Sequence, residues 1–489
     1  MANGLCSGTG MGTGMGTKEE WSVANGERYD LTVIGSGPGG YVAAIRAAQL
    51  GQKVAIVEAE KLGGICLNWG CIPTKALLRN AEVVALFRRA GDFGIACDGF
   101  RADFGEAVKR SRQIAGKFNK GVEFLMKKNS VRVHAGRGRL ASPGEVQVLG
   151  DGGAVKETLR AARILLATGS RPKALPGLAP DGTRVLTSTE AMVLPQAPRS
   201  IAIVGAGAIG VEFADIFNAY GAEVTLVEML PQVVPLEEAE VAQVLARSFG
   251  RRGIQVRTGT KVEKAEVAAD GVRLHLGGEG AGELRAEVVL VAVGRTPNVE
   301  DLGLEACGVA TGPGGFIAVN ERFETAAPGV LAIGDVIGAP LLAHAASAEG
   351  IAAVEFAAGM DRPRVNPLRI PSVTYCHPQV ASVGLTEAKA REAGRQVKVG
   401  KFPFQASGMA QAYGDAEGFV KVVADGEYGE VLGVHIVGYG AAELIGEAAV
   451  GMTLEASAED LAHAVHAHPT LSEAMHEALL GAVGRALHL

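Results

Sequence analysis

Two cysteines stand five positions apart in Gly63-Gly64-Ile65-Cys66-Leu67-Asn68-Trp69-Gly70-Cys71. Thiols at this spacing can form a static crosslink, cycle between disulfide and dithiol, or supply half of a zinc site. Five positions of ideal helix rise about 7.5 Å, too far for a disulfide, so closure requires a distorted or pre-helical segment. Gly63, Gly64 and Gly70 supply that freedom. A thiol near a helix start is also easier to ionise, and it is the thiolate that attacks. No second Cys or His pair follows at ligand spacing, so redox chemistry is favoured over zinc and no metal is expected. Cys97, Cys307 and Cys376 are scattered and read as small core residues, while Cys6 lies in a Gly-, Thr-, Met- and Ser-rich stretch, 1–28, read as a disordered tail.

The pair must be positioned by the segment before it. Tyr29 to Ile34 is a short apolar run, followed by Gly35-Ser36-Gly37-Pro38-Gly39-Gly40, an Ala-rich helical stretch to Leu50 and a second strand at Val54 to Val57. The same plan recurs at Ile201 to Val204, Gly205-Ala206-Gly207-Ala208-Ile209-Gly210, a helix to Tyr220 and a strand at Val224 to Val227. Each unit ends in an acid, Glu58 and Glu228, placed 23 residues after Gly35 and Gly205 respectively. In such a βαβ unit the first glycine makes the tight turn, the second admits a pyrophosphate and the third lets helix and strand approach. The helix start then offers N–H groups and positive dipole to phosphate, and the acid can accept ribose hydroxyls. One Gly-rich turn is weak evidence; two with strand, helix and acid in place predict two bound dinucleotides.

Further along, a helical stretch is expected over roughly Ala81 to Asn129. Two similar strand-and-turn segments follow, Ile164 to Ser170 with Thr168-Gly169, and Val288 to Val293 with Gly294-Arg295. Pro172, Pro176 and Gly177 mark a linker, and from Pro367 onward alternating strands and helices carry no nucleotide signal. The fold class is therefore α/β: two Rossmann-like units and a C-terminal α+β domain. The divisions read as 29–174, 175–298, a return to the first unit over 299–366, and 367–489. At 489 residues with formal net charge −6, the chain has no basic footprint for nucleic acid and no apolar run long enough to span a bilayer. It reads as a cytoplasmic protein.

The segment 63–75, continuing Cys71-Ile72-Pro73-Thr74-Lys75, closely resembles the redox-active segment of the flavoprotein disulfide reductases. Both nucleotide motifs, Thr325 to Asp335, and His466-Ala467-His468-Pro469-Thr470-Leu471-Ser472-Glu473 follow in that family's order, covering about 29 to 480. The resemblance implies FAD on the first unit, at Gly35, Gly37, Gly40, Glu58, Lys75, Thr168, Gly169, Asp335 and Ala343. It implies NAD on the second, at Gly205, Gly207, Gly210, Glu228 and Gly294. It implies that Cys71 faces the flavin, that Cys66 exchanges with substrate, that Lys75 pairs with Glu212, and that His468 is the acid-base with Glu473 fixing its tautomer. The helix Leu341 to Gly350 resembles the one whose N-terminus faces the flavin's carbonyl edge. A homodimer through the C-terminal domain is implied too.

Within that family the segments around Cys66, Phe402-Pro403-Phe404 and Pro469 to Glu473 look more like the lipoamide branch than the glutathione branch. The end Arg485 to Leu489 lacks the Cys pair usual in mercuric reductases. The implied partner is a lipoyl-carrying acyltransferase core or lipoyl carrier protein. A second reading is a non-enzymatic subunit with a static disulfide and vestigial nucleotide folds; the intact glycines, both acids, Asp335 and the His468/Glu473 pair argue against it. Departures are small: Ile65, Thr74, Leu341 and Cys376 stand where Thr, Ser, Met and Thr are commoner.

Overall fold

The computed structural model describes residues 28–363 and 365–488, and the statements below concern these. Cys6 and the proposed tail, apart from Arg28, lie outside them. Arg28 opens the first strand, Arg28–Ile34, which pairs in parallel with Val54–Glu58 on one side and Val155–Leu166 on the other. Arg132–Ala135 extends this sheet beyond Val54–Glu58, and Val330–Ala332 adds in parallel to Val155–Leu166. An antiparallel flap, Arg137–Ser142 with Glu145–Leu149, joins through the first half of the long strand Val155–Leu166.

The second unit repeats the plan. Its parallel sheet runs in the order Gln255–Arg257, Glu223–Val227, Ser200–Val204, Val288–Val291, Val185–Leu186. The central strands Val54–Glu58, Ser200–Val204 and Val288–Val291 are almost wholly buried, as expected for parallel strands covered on both faces. A small antiparallel pair, Ser170–Pro172 with Arg295–Pro297, ties the two units together where proline and glycine had suggested only a linker.

The first crossover helix, Pro38–Gln49, starts with proline at its N-terminal turn and buries Gly39, Gly40, Ala43, Ala44 and Ala47. These small residues allow close contact with helix Ala343–Ala357: a Cβ on Gly350 would stand 2.7 Å from the Gly39 carbonyl oxygen. The stretch expected as one helical region over 81–129 is two helices, Cys71–Arg88 and Phe104–Lys128. The connection carries Gly94 and Gly99 at φ +71° and +88°, which a continuing helix excludes. Cys97 sits in that connection and is exposed, correcting its assignment to the core; Cys307 and Cys376 are buried.

The C-terminal domain is an antiparallel sheet in the order Ser372–Thr374, Gln379–Gly384, Val431–Gly438, Phe419–Asp425, Val397–Pro403. Every residue of Phe419–Asp425 and Val431–Gly438 is buried. Helix Glu473–Ala482 crosses Val397–Pro403 so closely that a Cβ on Gly400 would lie 1.8 Å from the Ala478 carbonyl oxygen. Ala474, Ala478 and Leu479 are buried there.

Candidate active site

The redox segment is a helix that stops and restarts between the cysteines. Gly64–Trp69 is one short helix, Gly70 leaves helical geometry at φ −146°, ψ −112°, and Cys71–Arg88 begins a second. The break brings the Cα atoms of Cys66 and Cys71 to 4.8 Å, within disulfide reach, and the two form a disulfide. Gly63 and Gly64 have φ of +92° and +57°. A Cβ on Gly64 would stand 2.7 Å from the Gly37 Cα, so the segment's start lies directly on the first glycine loop. Gly63 N–H donates to the Ser36 carbonyl (3.0 Å) and hydroxyl oxygen (3.2 Å), and Ser36 Oγ donates to Glu58 at 2.5 Å.

Both glycine loops have one geometry. Gly35 and Gly205 turn at φ +97° and +101°. A Cβ on Gly40 or Gly210 would meet the carbonyl oxygen of Gly35 or Gly205 at 2.0 or 1.9 Å, while one on Gly37 or Gly207 meets nothing within 4 Å. Each loop is thus closed behind the third glycine and open in front of the second, the shape a pyrophosphate needs. Glu58 accepts from Ser36 N–H at 2.9 Å and Glu228 from Ala206 N–H at 2.7 Å, so each acid is already held at the mouth of its loop. The residues fit a dinucleotide at both places.

Lys75, one helical turn past Cys71, reaches both carboxylate oxygens of Glu212 at 3.0 Å. Glu212 is buried on helix Ala208–Ala219 and also accepts from Tyr375 N–H at 2.9 Å, while Lys75 Nζ lies 4.5 Å from the Tyr375 ring centroid. Burial, then the Glu212 charge, pushes the Tyr375 hydroxyl up from its ordinary value. One turn on, Asp215 accepts from His377 N–H (2.9 Å) and from Arg252. Between them Cys376 is fully enclosed, and burial raises its thiol well above the ordinary range. It is held as a neutral thiol.

Asp335 accepts from Ser170 Oγ, and Arg295 stands 3.7 Å away while donating to Ser170 Oγ and its carbonyl, both at 2.6 Å. Burial pulls the Arg295 guanidinium down from its ordinary value. Glu349, on helix Ala343–Ala357, accepts from Gly334 N–H at 2.7 Å; burial, with Asp335 nearby, pushes its carboxyl up to about 7. Thr168 and Gly169 are tied to Asn298 by three hydrogen bonds: Thr168 Oγ1 to the Asn298 carbonyl at 2.7 Å, Asn298 Nδ2 to the Thr168 carbonyl at 2.9 Å, and Asn298 N–H to the Gly169 carbonyl at 3.0 Å. Gly294 turns at φ +114°, beside this crossing. Ser36, Ser170, Asp215, Arg295, Glu349 and Tyr375 escaped the sequence reading.

His468 Nδ1 bonds Glu473 at 2.8 Å, and Glu473 also accepts from Thr470 N–H at 2.8 Å. The Thr470 amide, then His468, hold the Glu473 carboxyl below its ordinary value. The carboxylate therefore stays charged and fixes the imidazole with Nε2 outward. Within the single chain this pair does not meet the cysteines: the His468 side chain is 81% exposed, and the neighbouring Val465 is 99% exposed.

A family model described as pyridine nucleotide-disulphide oxidoreductase matches residues 29–350, and the dimerisation domain of the same family matches 370–479. The chain belongs to the pyridine nucleotide-disulphide oxidoreductase family. Curated relatives named dihydrolipoyl dehydrogenase include proteins of Rhizobium etli, 46% identical over 94% of this chain and 99% of that protein, and Bacillus subtilis, 43% identical over the same shares. Among solved structures of this oxidoreductase fold, LpdA from Mycobacterium tuberculosis superposes with a TM-score of 0.86 at 27% identity, covering 92% of this chain and 98% of that one. The α/β class with a C-terminal α+β domain agrees with these matches. Among the described residues no helix is long and apolar enough to cross a membrane, and no group of three or more His, Cys, Asp or Glu could hold a metal ion.

The open and closed faces of the loops make a paired test. Gly40→Ala forces a 2.0 Å contact with backbone and should destabilise the fold by about 1–3 kcal/mol, seen as a lower Tm with or without flavin. Gly37→Ala meets no protein atom, so it should leave the Tm of the flavin-stripped protein unchanged while weakening flavin retention on gel filtration. Equal flavin retention in Gly37→Ala and wild type would refute this placement of the pyrophosphate.

Proposed function

We propose that this chain oxidises dihydrolipoamide to lipoamide and reduces NAD+ through FAD and the Cys66–Cys71 disulfide. The observation that carries the reading is the disulfide across the Gly70 break, seated directly on the first dinucleotide loop. The names of the relatives, at 43–49% identity, supply the substrate. When bound, FAD provides the two-electron relay between the protein dithiol and the nicotinamide.

The chain's own residues do the rest. His468, its tautomer fixed by Glu473, takes the proton from a substrate thiol, and the resulting thiolate attacks the Cys66 sulfur, releasing the Cys71 sulfur. The second substrate thiol then attacks the mixed disulfide at its substrate sulfur, closing lipoamide and leaving both protein sulfurs reduced. Cys71, at the start of helix Cys71–Arg88, would face the flavin, and Lys75, held by Glu212, would present its cation there. Ala343 heads the helix whose positive end would face a bound flavin, and Asp335 would hold its ribityl or phosphate region. Glu228 accepts the ribose hydroxyls of NAD and repels a 2′-phosphate.

The active site is shared between two subunits of a homodimer. His468 is exposed on the single chain and needs a facing dithiol, which a twofold contact through the C-terminal domain supplies twice. The protein works in the cytoplasm with a lipoyl-carrying acyltransferase core or lipoyl carrier protein.

A turnover panel of dihydrolipoamide, glutathione disulfide and mercuric ion, each with the NAD and NADP couples, decides the substrate. Dihydrolipoamide with NAD+ should lead in kcat/KM, and Glu228→Ala should narrow the preference for NAD; higher efficiency with glutathione disulfide or with NADP would overturn the reading. Subunit sharing is checked by mixing Cys66→Ser and His468→Gln chains, each nearly inactive alone. Activity should return on exchange, since each mixed dimer regains one intact site. No recovery in verified heterodimers would mean that each subunit completes its own.

A further inference from the structure

Once the Cys66–Cys71 bond opens, no crosslink holds the two sides of the helix break at Gly70 together, yet the next cycle requires the two sulfurs to meet again. The segment around them is gripped from outside by one face of helix Phe104–Lys128. Arg112 donates to the Asn68 carbonyl at 2.5 Å, and its guanidinium lies 4.3 Å from the Trp69 ring centroid. Seven residues on, two turns along the same face, Asn119 Nδ2 donates to the Leu62 carbonyl at 2.7 Å. Asn68 closes the arrangement from within, its amide donating to Leu62 (3.0 Å) and Gly64 (2.9 Å) carbonyls. The gripped residues are Leu62, just before the segment, and Asn68 and Trp69, between the cysteines.

The choice of arginine is informative. Arg112 is partly buried, burial lowers its guanidinium from the ordinary value, and no carboxylate of the described residues pairs with it. A desolvated cation without an anion is unfavourable, and simple packing would be served by a leucine. What arginine adds is a flat cation that stacks on an indole while its N–H groups fix the carbonyl at the end of the short helix.

We propose that Arg112, assisted by Asn119, is a positioning residue that holds the loop between Cys66 and Cys71 in disulfide-competent shape after reduction. A braced dithiol has a higher effective concentration of one sulfur at the other, which favours the disulfide at equilibrium. Loosening the brace therefore favours the dithiol. The inference rests on the proposed redox cycling of this pair.

The test equilibrates the purified flavoprotein without oxygen against mixtures of reduced and oxidised dithiothreitol. The Cys66–Cys71 bond breaks, one S–S bond closes in dithiothreitol, and two hydrogens pass to the protein sulfurs; maleimide trapping and peptide mass then count free Cys66 and Cys71. In Arg112→Ala the equilibrium should move about tenfold toward the dithiol, equivalent to about 30 mV. Arg112→Lys, keeping charge and a donor but losing the flat stack, should move it part of the way, and Asn119→Ala should move it in the same direction. An Arg112→Ala equilibrium within twofold of wild type, even with a lowered Tm, would reduce Arg112 to a packing residue. A shift toward the disulfide would mean that its charge stabilises a thiolate, which overturns the brace. Should Arg112→Ala not fold, Arg112→Lys and Asn119→Ala decide by the same criteria. A wild-type pair that does not exchange with dithiothreitol would refute the redox reading itself, whereas normal wild-type exchange with unmoved variants refutes the brace alone.

Discussion

Everything chemical in this chain depends on the backbone contact between the first glycine loop and the start of the redox segment. Gly64 can lie on Gly37 because Gly64 has no side chain, and Ser36 secures the contact by accepting from Gly63 N–H while its hydroxyl donates to Glu58. The loop that is open to a dinucleotide's phosphates and the segment that carries the thiols are therefore one rigid piece. Any side chain at 64 would part them, with a Cβ only 2.7 Å from the Gly37 Cα. The break at Gly70 then becomes useful, since it turns a fixed segment into a disulfide whose position relative to a bound flavin is set by backbone.

A second junction carries that order across the molecule. Glu212 and Asp215, one turn apart on helix Ala208–Ala219, each accept a backbone amide from the strip Tyr375–His377 at the entry to the C-terminal domain. Glu212 also holds Lys75 of the redox helix, so first unit, second unit and C-terminal domain meet at one buried carboxylate. A buried carboxylate that satisfies a cation and an amide is costly to leave unpaired, so this junction fixes relative placement. The same strip encloses Cys376, and burial keeps its thiol protonated.

The local signals were legible because each depends on a few consecutive residues. The paired glycine loops, their acids and the need for a distorted segment around Gly63, Gly64 and Gly70 follow from local sterics and hydrogen bonding, and the boundaries of both βαβ units fell within a residue or two. What escaped depends on residues brought together from far apart. The ties of Ser170 and Arg295 to the already named Asp335 join three segments, and Arg112 and Asn119 lie more than forty residues from the loop they grip. No periodicity marks such contacts. The exposed Cys97 shows the opposite failure: a small residue type was taken for core where glycine-rich chain runs over the surface. The helical stretch expected over 81–129 is present as two helices, since Gly94 and Gly99 turn the chain between them.

The central claim is that electrons reach the flavin only through this disulfide. It is tested most directly by mixing dihydrolipoamide anaerobically with wild type and with Cys71→Ser while following flavin absorbance, each sample verified to hold FAD. The account predicts rapid spectral reduction of the wild type, reversed by NAD+, and an unchanged oxidised flavin in Cys71→Ser. Flavin reduction at the wild-type rate in Cys71→Ser would contradict it.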